Sequence, residues 1–199
     1  MQTLPTIREA NLDDLETLVD TLSDSFANDP VLNWVIPRPQ LYPDLFRLFI
    51  TDIYFPRGIV HLEDGGRGAA LWLPPGEVME VPPRLALLNM VMKLLLHKGP
   101  RPLWRLHQQG EVFARHHPKE PHYYLQFIGC RARDQGQGVG AALIKQGTRE
   151  CDEQGMPAYL ESSNSLNVPL YQRHGFEVFH EQCVTKNGPK AWFMWREPR

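Results

Sequence analysis

The chain has 199 residues, with 21 Lys and Arg against 23 Asp and Glu, and a formal net charge of −2. This balance gives no reason to expect a nucleic acid or an acidic membrane as partner, and the length suits one domain spanning residues 1–199. The three cysteines, Cys130, Cys151 and Cys183, are odd in number and lack metal-binding spacing, so we expect a reducing compartment, the cytoplasm, and no disulfide framework.

No segment of the sequence is typical of a membrane span or a targeting signal. The N-terminal residues Met1–Ala10 are polar. The most apolar run, Leu85–Leu96, contains Asn89 and Lys93 and is too short to cross a bilayer. We therefore expect a soluble protein.

The first third of the chain predicts a strand, two helices and a hairpin. Thr6–Ala10 is typical of a strand, and Asn11 can cap the amphipathic helix that follows. After a break at Asn28-Asp29-Pro30, apolar residues at helical spacing predict a second helix over roughly Asp44–Tyr54. Gly58–Glu63 and Gly68–Leu73 are strand-like runs on either side of a glycine turn, which predicts a β-hairpin.

Prolines then mark the boundaries of the helices in a predicted helical insertion around residues 77–115. Prolines precede a helix at Leu85–Leu96, and Gly99-Pro100-Arg101-Pro102 separates it from another at about Leu103–Arg115. After the insertion, two strands each lead into a helix, and a final hairpin turns at Asn187-Gly188. The whole pattern predicts an α/β fold with a mixed central sheet of about six to seven strands flanked by helices. The expected strands after the insertion are Tyr123–Cys130, Ala158–Ser162, Phe176–Val184 and Ala191–Trp195, with helices starting near Gly138 and Asn167.

Three glycines lie between the predicted strand Tyr123–Cys130 and the helix after it, at Gly136, Gly138 and Gly140. Glycine lets the main chain approach a ligand closely, and the positive end of a helix favours an anion. A diphosphate is the natural ligand for such a turn.

Two familiar phosphate-binding motifs fit this turn poorly. A Walker loop needs Gly-Lys-Ser/Thr after the glycines, which is absent here. The dinucleotide fingerprint G-x-G-x-x-G/A is met formally, with Glu161 about 20 residues further on. However, Arg131–Gln135 separate the strand from the first glycine, and too little chain follows Glu161 for a doubly wound sheet.

A third interpretation includes Gln135. The run from Gln135 to Gly140 has the form Q/R-x-x-G-x-G/A, and Asn167, Tyr171, Gly175 and Phe176 have the spacing N-x-x-x-Y-x-x-x-G-F. Both segments resemble the GNAT superfamily of N-acetyltransferases. Further segments at residues 117–121, 157–163 and 188–194 are similar to puromycin N-acetyltransferase and its relatives.

The resemblance implies the GNAT fold, in which the two central strands splay apart, and acetyl-CoA as co-substrate without a metal. It implies that the pantetheine arm lies along Ile128, Gly129 and Cys130 and that Asn167 reaches the pantetheine or phosphate region. It also implies that the loop after the first helix and the helical insertion border the acceptor cleft. The diphosphate loop carried over from the superfamily consists of Gln135, Gly136, Gln137, Gly138, Val139 and Gly140.

Amide formation needs a neutral amine and a proton for the departing thiolate, and direct attack needs no acyl-enzyme. The resemblance makes Tyr171 the proton donor to the CoA sulfur, and Glu161 a base, a substrate anchor or a structural carboxylate. The expected function is acetyl transfer from acetyl-CoA to a primary amine of a small molecule, including an amino-bearing antibiotic. A catalytically silent acetyl-CoA-binding or sensing domain and a protein or peptide N-acetyltransferase are the alternatives, and Tyr171, which binding alone does not need, favours the enzyme. Cys130 is interpreted as a small buried side chain.

Overall fold

The computed structural model describes residues 5–199, apart from the side chains of residues 97 and 98. All seven strands form one sheet in the order β1-β2-β3-β4-β5-β7-β6. Only β4 and β5 pair in parallel, and the other neighbours are antiparallel. The mixed sheet expected from the sequence is therefore confirmed. The strands are β1 (Ile7–Glu9), β2 (Ile59–Glu63), β3 (Gly68–Leu73), β4 (Tyr123–Cys130), β5 (Ala158–Ser162), β6 (Glu177–Cys183) and β7 (Lys190–Arg196).

The helices follow the predicted pattern with one addition. They are α1 (Leu15–Phe26), α2 (Pro30–Val35), α3 (Tyr42–Phe49), a π-helical stretch (Ile50–Tyr54), α4 (Phe55–Arg57), α5 (Leu85–Lys98), α6 (Arg101–His116), α7 (Val139–Glu153) and α8 (Val168–Arg173). The sequence reasoning took Asn28-Asp29-Pro30 only as a stop and missed α2. The same residues start that helix, since the Asp29 carboxylate accepts the N–H of Leu32 at 2.7 Å and Pro30 occupies the first turn.

Each face of the sheet carries its own core. On one face α1 and α3 pack against β2, β3 and β4, with Phe26, Phe46 and Phe127 in mutual ring contact at 5.5–5.6 Å. On the other face α7 lies close to the sheet, because a Cβ on Gly147 would come within 2.3 Å of the Trp72 ring. Burying each large apolar side chain contributes about 1.5–3 kcal/mol, so these layers fix where α7 and its N-terminus lie.

The parallel pair β4–β5 opens after three residues. Tyr123–Leu125 pair with Ala158–Leu160, and no further pairing between the two strands follows. The register of β4 against β3 shifts at the same point, leaving Gln126 without a partner. This bulge puts Gln126 and Phe127 on the same face, because the first contacts Tyr54 and the second packs on the aromatic cluster. The expected splay of the central strands is thus present.

Candidate active site

A cleft of about 710 Å³ opens where β4 and β5 diverge. Its walls come from the end of α1, the diverging strands, the glycine turn, the start of α7 and the short helix α8. These elements meet because the bulge at Gln126 ends the pairing of the central strands while their helices stay packed on the sheet. The cleft therefore runs from the glycine turn to the polar end of β5.

The glycine turn has the conformation that only glycine adopts without strain. Gly136 has φ +75° and Gly138 has φ +83°, and a Cβ at either position would meet nothing within 4 Å. The turn is tied to α1, because the Asp24 carboxylate accepts the N–H of Ala132 at 2.7 Å. Gly136 and Gly138 thus present bare main chain to open space.

The main-chain donors at this turn have no backbone acceptor in the described chain, although the N–H of Gly140 faces the Cys130 sulfur. The N–H of Ala142 is the first in α7 with a backbone acceptor, the carbonyl of Gly138 at 3.0 Å. Within the described residues, no backbone carbonyl accepts the N–H groups of residues 136–141. These donors lie at the positive end of a 15-residue helix. A diphosphate fits this arrangement of open space, free donors and helix polarity.

The edge of β4 that β5 leaves forms the adjoining wall. Ile128, Gly129 and Cys130 pair with β3 on one side, have no β5 partner on the other, and line the cleft. Burial raises the pKa of the Cys130 thiol to about 11, with Asp134 acting in the same direction. A thiol is a poor nucleophile, so Cys130 has the properties of a small apolar side chain.

Tyr171 lies in α8 and lines the cleft. Its N–H donates to the carbonyl of Asn167 at 3.2 Å, its ring packs edge-on against Phe176, and its side chain is buried. Burial raises the pKa of the Tyr171 phenol above its ordinary value, and the nearby Asp29 carboxylate acts in the same direction. The phenol is therefore protonated at neutral pH and can donate.

Glu161 lies at the other wall, near the end of β5, and also lines the cleft. Burial raises the pKa of its carboxyl to about 7, although hydrogen bonds from the Tyr124 and Tyr159 phenols lower it. The Tyr159 hydroxyl donates to Oε1 at 2.7 Å. Glu161 has no ion-pair partner among the described residues. A carboxyl with this pKa can exchange a proton near neutral pH.

The cleft brings together most residues singled out from the sequence. Glu161 and Tyr171 line it, as do Ile128, Gly129, Cys130, Gln135, Gly136, Gly138, Val139, Gly140 and Asn167. Gln137 is not among the lining residues, and its side-chain amide lies 3.4 Å from the Arg133 carbonyl. The strand and the two helices therefore place separate sequence motifs on one surface.

Sequence reasoning missed several residues that shape the site. Tyr159 was detectable, because it lies two residues before Glu161 in a predicted strand and so shares its face. Asp29 had been taken as a helix stop, but it lines the cleft and accepts a hydrogen bond from the Ser163 hydroxyl. Gln126 also lines the cleft, and no sequence signal indicated the bulge that turns it inward.

Among residues 5–199, apart from the side chains of residues 97 and 98, there is neither a metal site nor a membrane-spanning helix. No set of three or more His, Cys, Asp and Glu side chains there is arranged to hold a metal ion. None of the helices in this range combines the length and apolar composition needed to cross a bilayer. All three cysteines are free.

Comparison with known proteins gives consistent matches. A family model described as acetyltransferase (GNAT) family matches residues 103–176. The chain is 29% identical over 213 residues to an uncharacterized N-acetyltransferase of Schizosaccharomyces pombe, covering 93% of this chain and 80% of the relative. It is 35% identical over 81 residues to the mycothiol acetyltransferase of Streptomyces coelicolor, covering 37% of this chain and 26% of the relative.

A solved structure matches nearly the whole chain. It is described as histone acetyltransferase HPA2 and related acetyltransferase, from Corynebacterium glutamicum, and it superposes with a TM-score of 0.74 at 29% identity. The match covers 99% of this chain and 98% of that chain. The architecture expected from the sequence is confirmed by this likeness.

Proposed function

We propose that the chain is an acetyltransferase of the GNAT superfamily and that it transfers the acetyl group of acetyl-CoA to a primary amine of a small molecule by direct attack in a ternary complex. The observation that carries this proposal is the single cleft into which the glycine turn, Tyr171 and Glu161 all project. In this proposal residues 1–199 form one N-acetyltransferase domain, and the cytoplasmic location stays a prediction.

The proposed binding roles follow from which groups are free. The N–H groups of Gly136, Gly138 and Gly140 hold the diphosphate of acetyl-CoA, and Gln135, Gln137 and Val139 complete that loop. The open edge of β4 at Ile128, Gly129 and Cys130 offers main-chain groups to the pantetheine arm, much as a neighbouring strand would. Asn167, at the start of α8, reaches the same arm or the phosphates.

The proposed chemistry uses the two walls of the cleft. Glu161 takes a proton from the incoming ammonium, and the neutral nitrogen attacks the thioester carbonyl. The carbon–sulfur bond then breaks, and Tyr171 gives its proton to the departing sulfur. The nitrogen releases its second proton as the amide forms, and that proton returns through solvent to the Tyr171 phenolate, so the phenol is regenerated. The pKa values favour this division, since a carboxyl with a pKa of about 7 can accept a proton and a phenol with a raised pKa retains one until it is needed.

The similarity to puromycin N-acetyltransferases is not confirmed by the comparisons, so puromycin is one candidate acceptor among amino-bearing antibiotics.

A silent acetyl-CoA-binding domain would use the same loop, but it would not need a protonated phenol and a titrating carboxyl in the cleft. For that reason we favour the enzyme.

The test is a panel of primary amines incubated with acetyl-CoA, with free thiol monitored and the acetylated product identified by mass. The proposal predicts amine-dependent thiol release with equal formation of amide. A silent domain would bind acetyl-CoA by calorimetry yet release no thiol above the amine-free rate. A protein acetyltransferase would acetylate peptides while leaving every small amine unmodified.

A further inference from the structure

The charges that line the cleft are mostly of one sign. Four carboxylates line it, at Asp24, Asp29, Asp134 and Glu161, against the single guanidinium of Arg173 within the described part of the chain. A cleft with such a surplus concentrates cations by focusing their field. Asp24 accepts the N–H of Ala132 at 2.7 Å, and Asp134 pairs with Arg133 at 3.5 Å. Asp29 and Glu161 form no ion pair among the described residues, and their charges need another explanation.

The end of the cleft that remains for the acceptor is acidic. Acetyl-CoA, placed as proposed above, occupies the glycine turn, the β4 edge and the α8 wall, which includes Arg173. Asp29, at the start of α2, and Glu161, in β5, belong to other elements and also line the cleft. Arg173 is the only Lys, Arg or His among the described residues that line the cleft.

Both carboxylates are fixed in place. Asp29 accepts the N–H of Leu32 at 2.7 Å and a hydrogen bond from the Ser163 hydroxyl, which ties the start of α2 to the end of β5. Glu161 accepts from Tyr159 at 2.7 Å. Neither can swing away from a ligand anion without losing these bonds.

From this arrangement we propose that the acceptor is a cationic amine that carries no carboxylate next to its amino group. This inference rests on the proposed function and narrows its substrate class to amines of the decarboxylated type, in place of free amino acids. An α-carboxylate would face Asp29 and Glu161, and Arg173, the one described cation that lines the cleft, lies on α8 within the wall assigned to acetyl-CoA. Like charges brought together in a desolvated site strongly oppose binding, whereas a bare ammonium is attracted.

The experiment compares matched amines that differ only in that carboxylate. Tyramine, tyrosine and tyrosine methyl ester form one set, and histamine, histidine and histidine methyl ester form a second. kcat/KM is measured from thiol release at pH 8. We expect each amine to exceed its amino acid by at least about 100-fold, and each ester to recover most of the loss, because the ester keeps the bulk and removes the charge.

A variant tests whether the charge of the cleft causes this preference for the amine over the amino acid. Asp29→Asn keeps an N-cap of similar quality but removes one charge, so it should reduce the amine-to-amino-acid ratio at least about tenfold. Asp20→Asn removes a carboxylate from an exposed position of α1 away from the cleft and should leave the ratio unchanged. Thermal unfolding of both variants establishes that they are folded.

The possible outcomes separate this inference from the proposed function. Comparable rates for tyrosine and tyramine would overturn the inference while leaving acetyl transfer intact. Failure of the esters to recover activity would overturn it as well, because bulk would then explain the discrimination. If no member of either set is acetylated and no other small amine is, the proposed function fails and the inference falls with it.

Discussion

Replacing Glu161 with glutamine should change the pH dependence of stability in a direction fixed by the site. Burial raises the carboxyl pKa from an ordinary value of 4.5 to about 7, so the folded protein favours the protonated form. Roughly 2.5 pH units of separation correspond to about 3 kcal/mol of unfolding free energy. Glu161→Gln has nearly the shape of the protonated acid and cannot ionise.

The sign follows from the two pKa values. Below about pH 4.5 the carboxyl is protonated in both folded and unfolded states. Ionisation should therefore contribute little to the stability difference between parent and variant there. As pH rises from about 4.5 to 7, the unfolded chain gives up this proton while the folded parent keeps it, so the parent loses stability that the variant retains, and above pH 7 the loss is complete. The free energy of unfolding of the variant, relative to that of the parent, should be about 3 kcal/mol higher at pH 8.5 than at pH 4. For a domain of this size that corresponds to roughly 6–12 °C in melting temperature.

Urea unfolding of both proteins at pH 4, 6, 7.5 and 8.5 measures this difference. Glu177→Gln, which removes an exposed carboxyl from β6, controls for the loss of one charge. A stability difference between parent and Glu161→Gln that stays constant across this range would refute the raised pKa. Catalysis gives an independent readout, since turnover unchanged by Glu161→Gln between pH 6 and 9 would remove Glu161 from the mechanism.

Three further predictions concern the loop, the acid and the packing of α7. Tyr171→Phe should lower kcat by roughly 100-fold or more with little change in acetyl-CoA affinity by calorimetry, and a parent rate would mean that the hydroxyl has no chemical role. Gly138→Val should abolish acetyl-CoA binding, whereas Gly155→Val, with φ +61° and equally open space outside the cleft, imposes similar backbone strain and should bind normally; equal binding by both would contradict the loop assignment. Gly147→Ala should destabilise the fold by about 1–3 kcal/mol in urea, because its Cβ would overlap the Trp72 ring, and an unchanged midpoint would show that α7 is not packed as described.

Local chemistry made much of the fold predictable. The strand β4 has the bounds that the sequence indicates, and β5 does too, because apolar runs bounded by turn residues suffice to mark a buried strand. The start of α7 is equally predictable, since glycines at Gly136 and Gly138 permit a conformation that other residues resist. Conversely, α2 was missed because a residue that ends one helix can also cap the next.

The sequence by itself determined which residue types line the candidate site, namely the glycine turn, a tyrosine on a short helix and a carboxylate on a strand. Their motifs are local, and the backbone and side-chain properties behind them do not depend on distant residues. Only the tertiary structure decided that Gln126 bulges out of the ladder, that β4 and β5 part after Leu125, and that Asp29 reaches the same cleft. Burial likewise raised the Glu161 pKa, because desolvation depends on neighbours from separate parts of the chain.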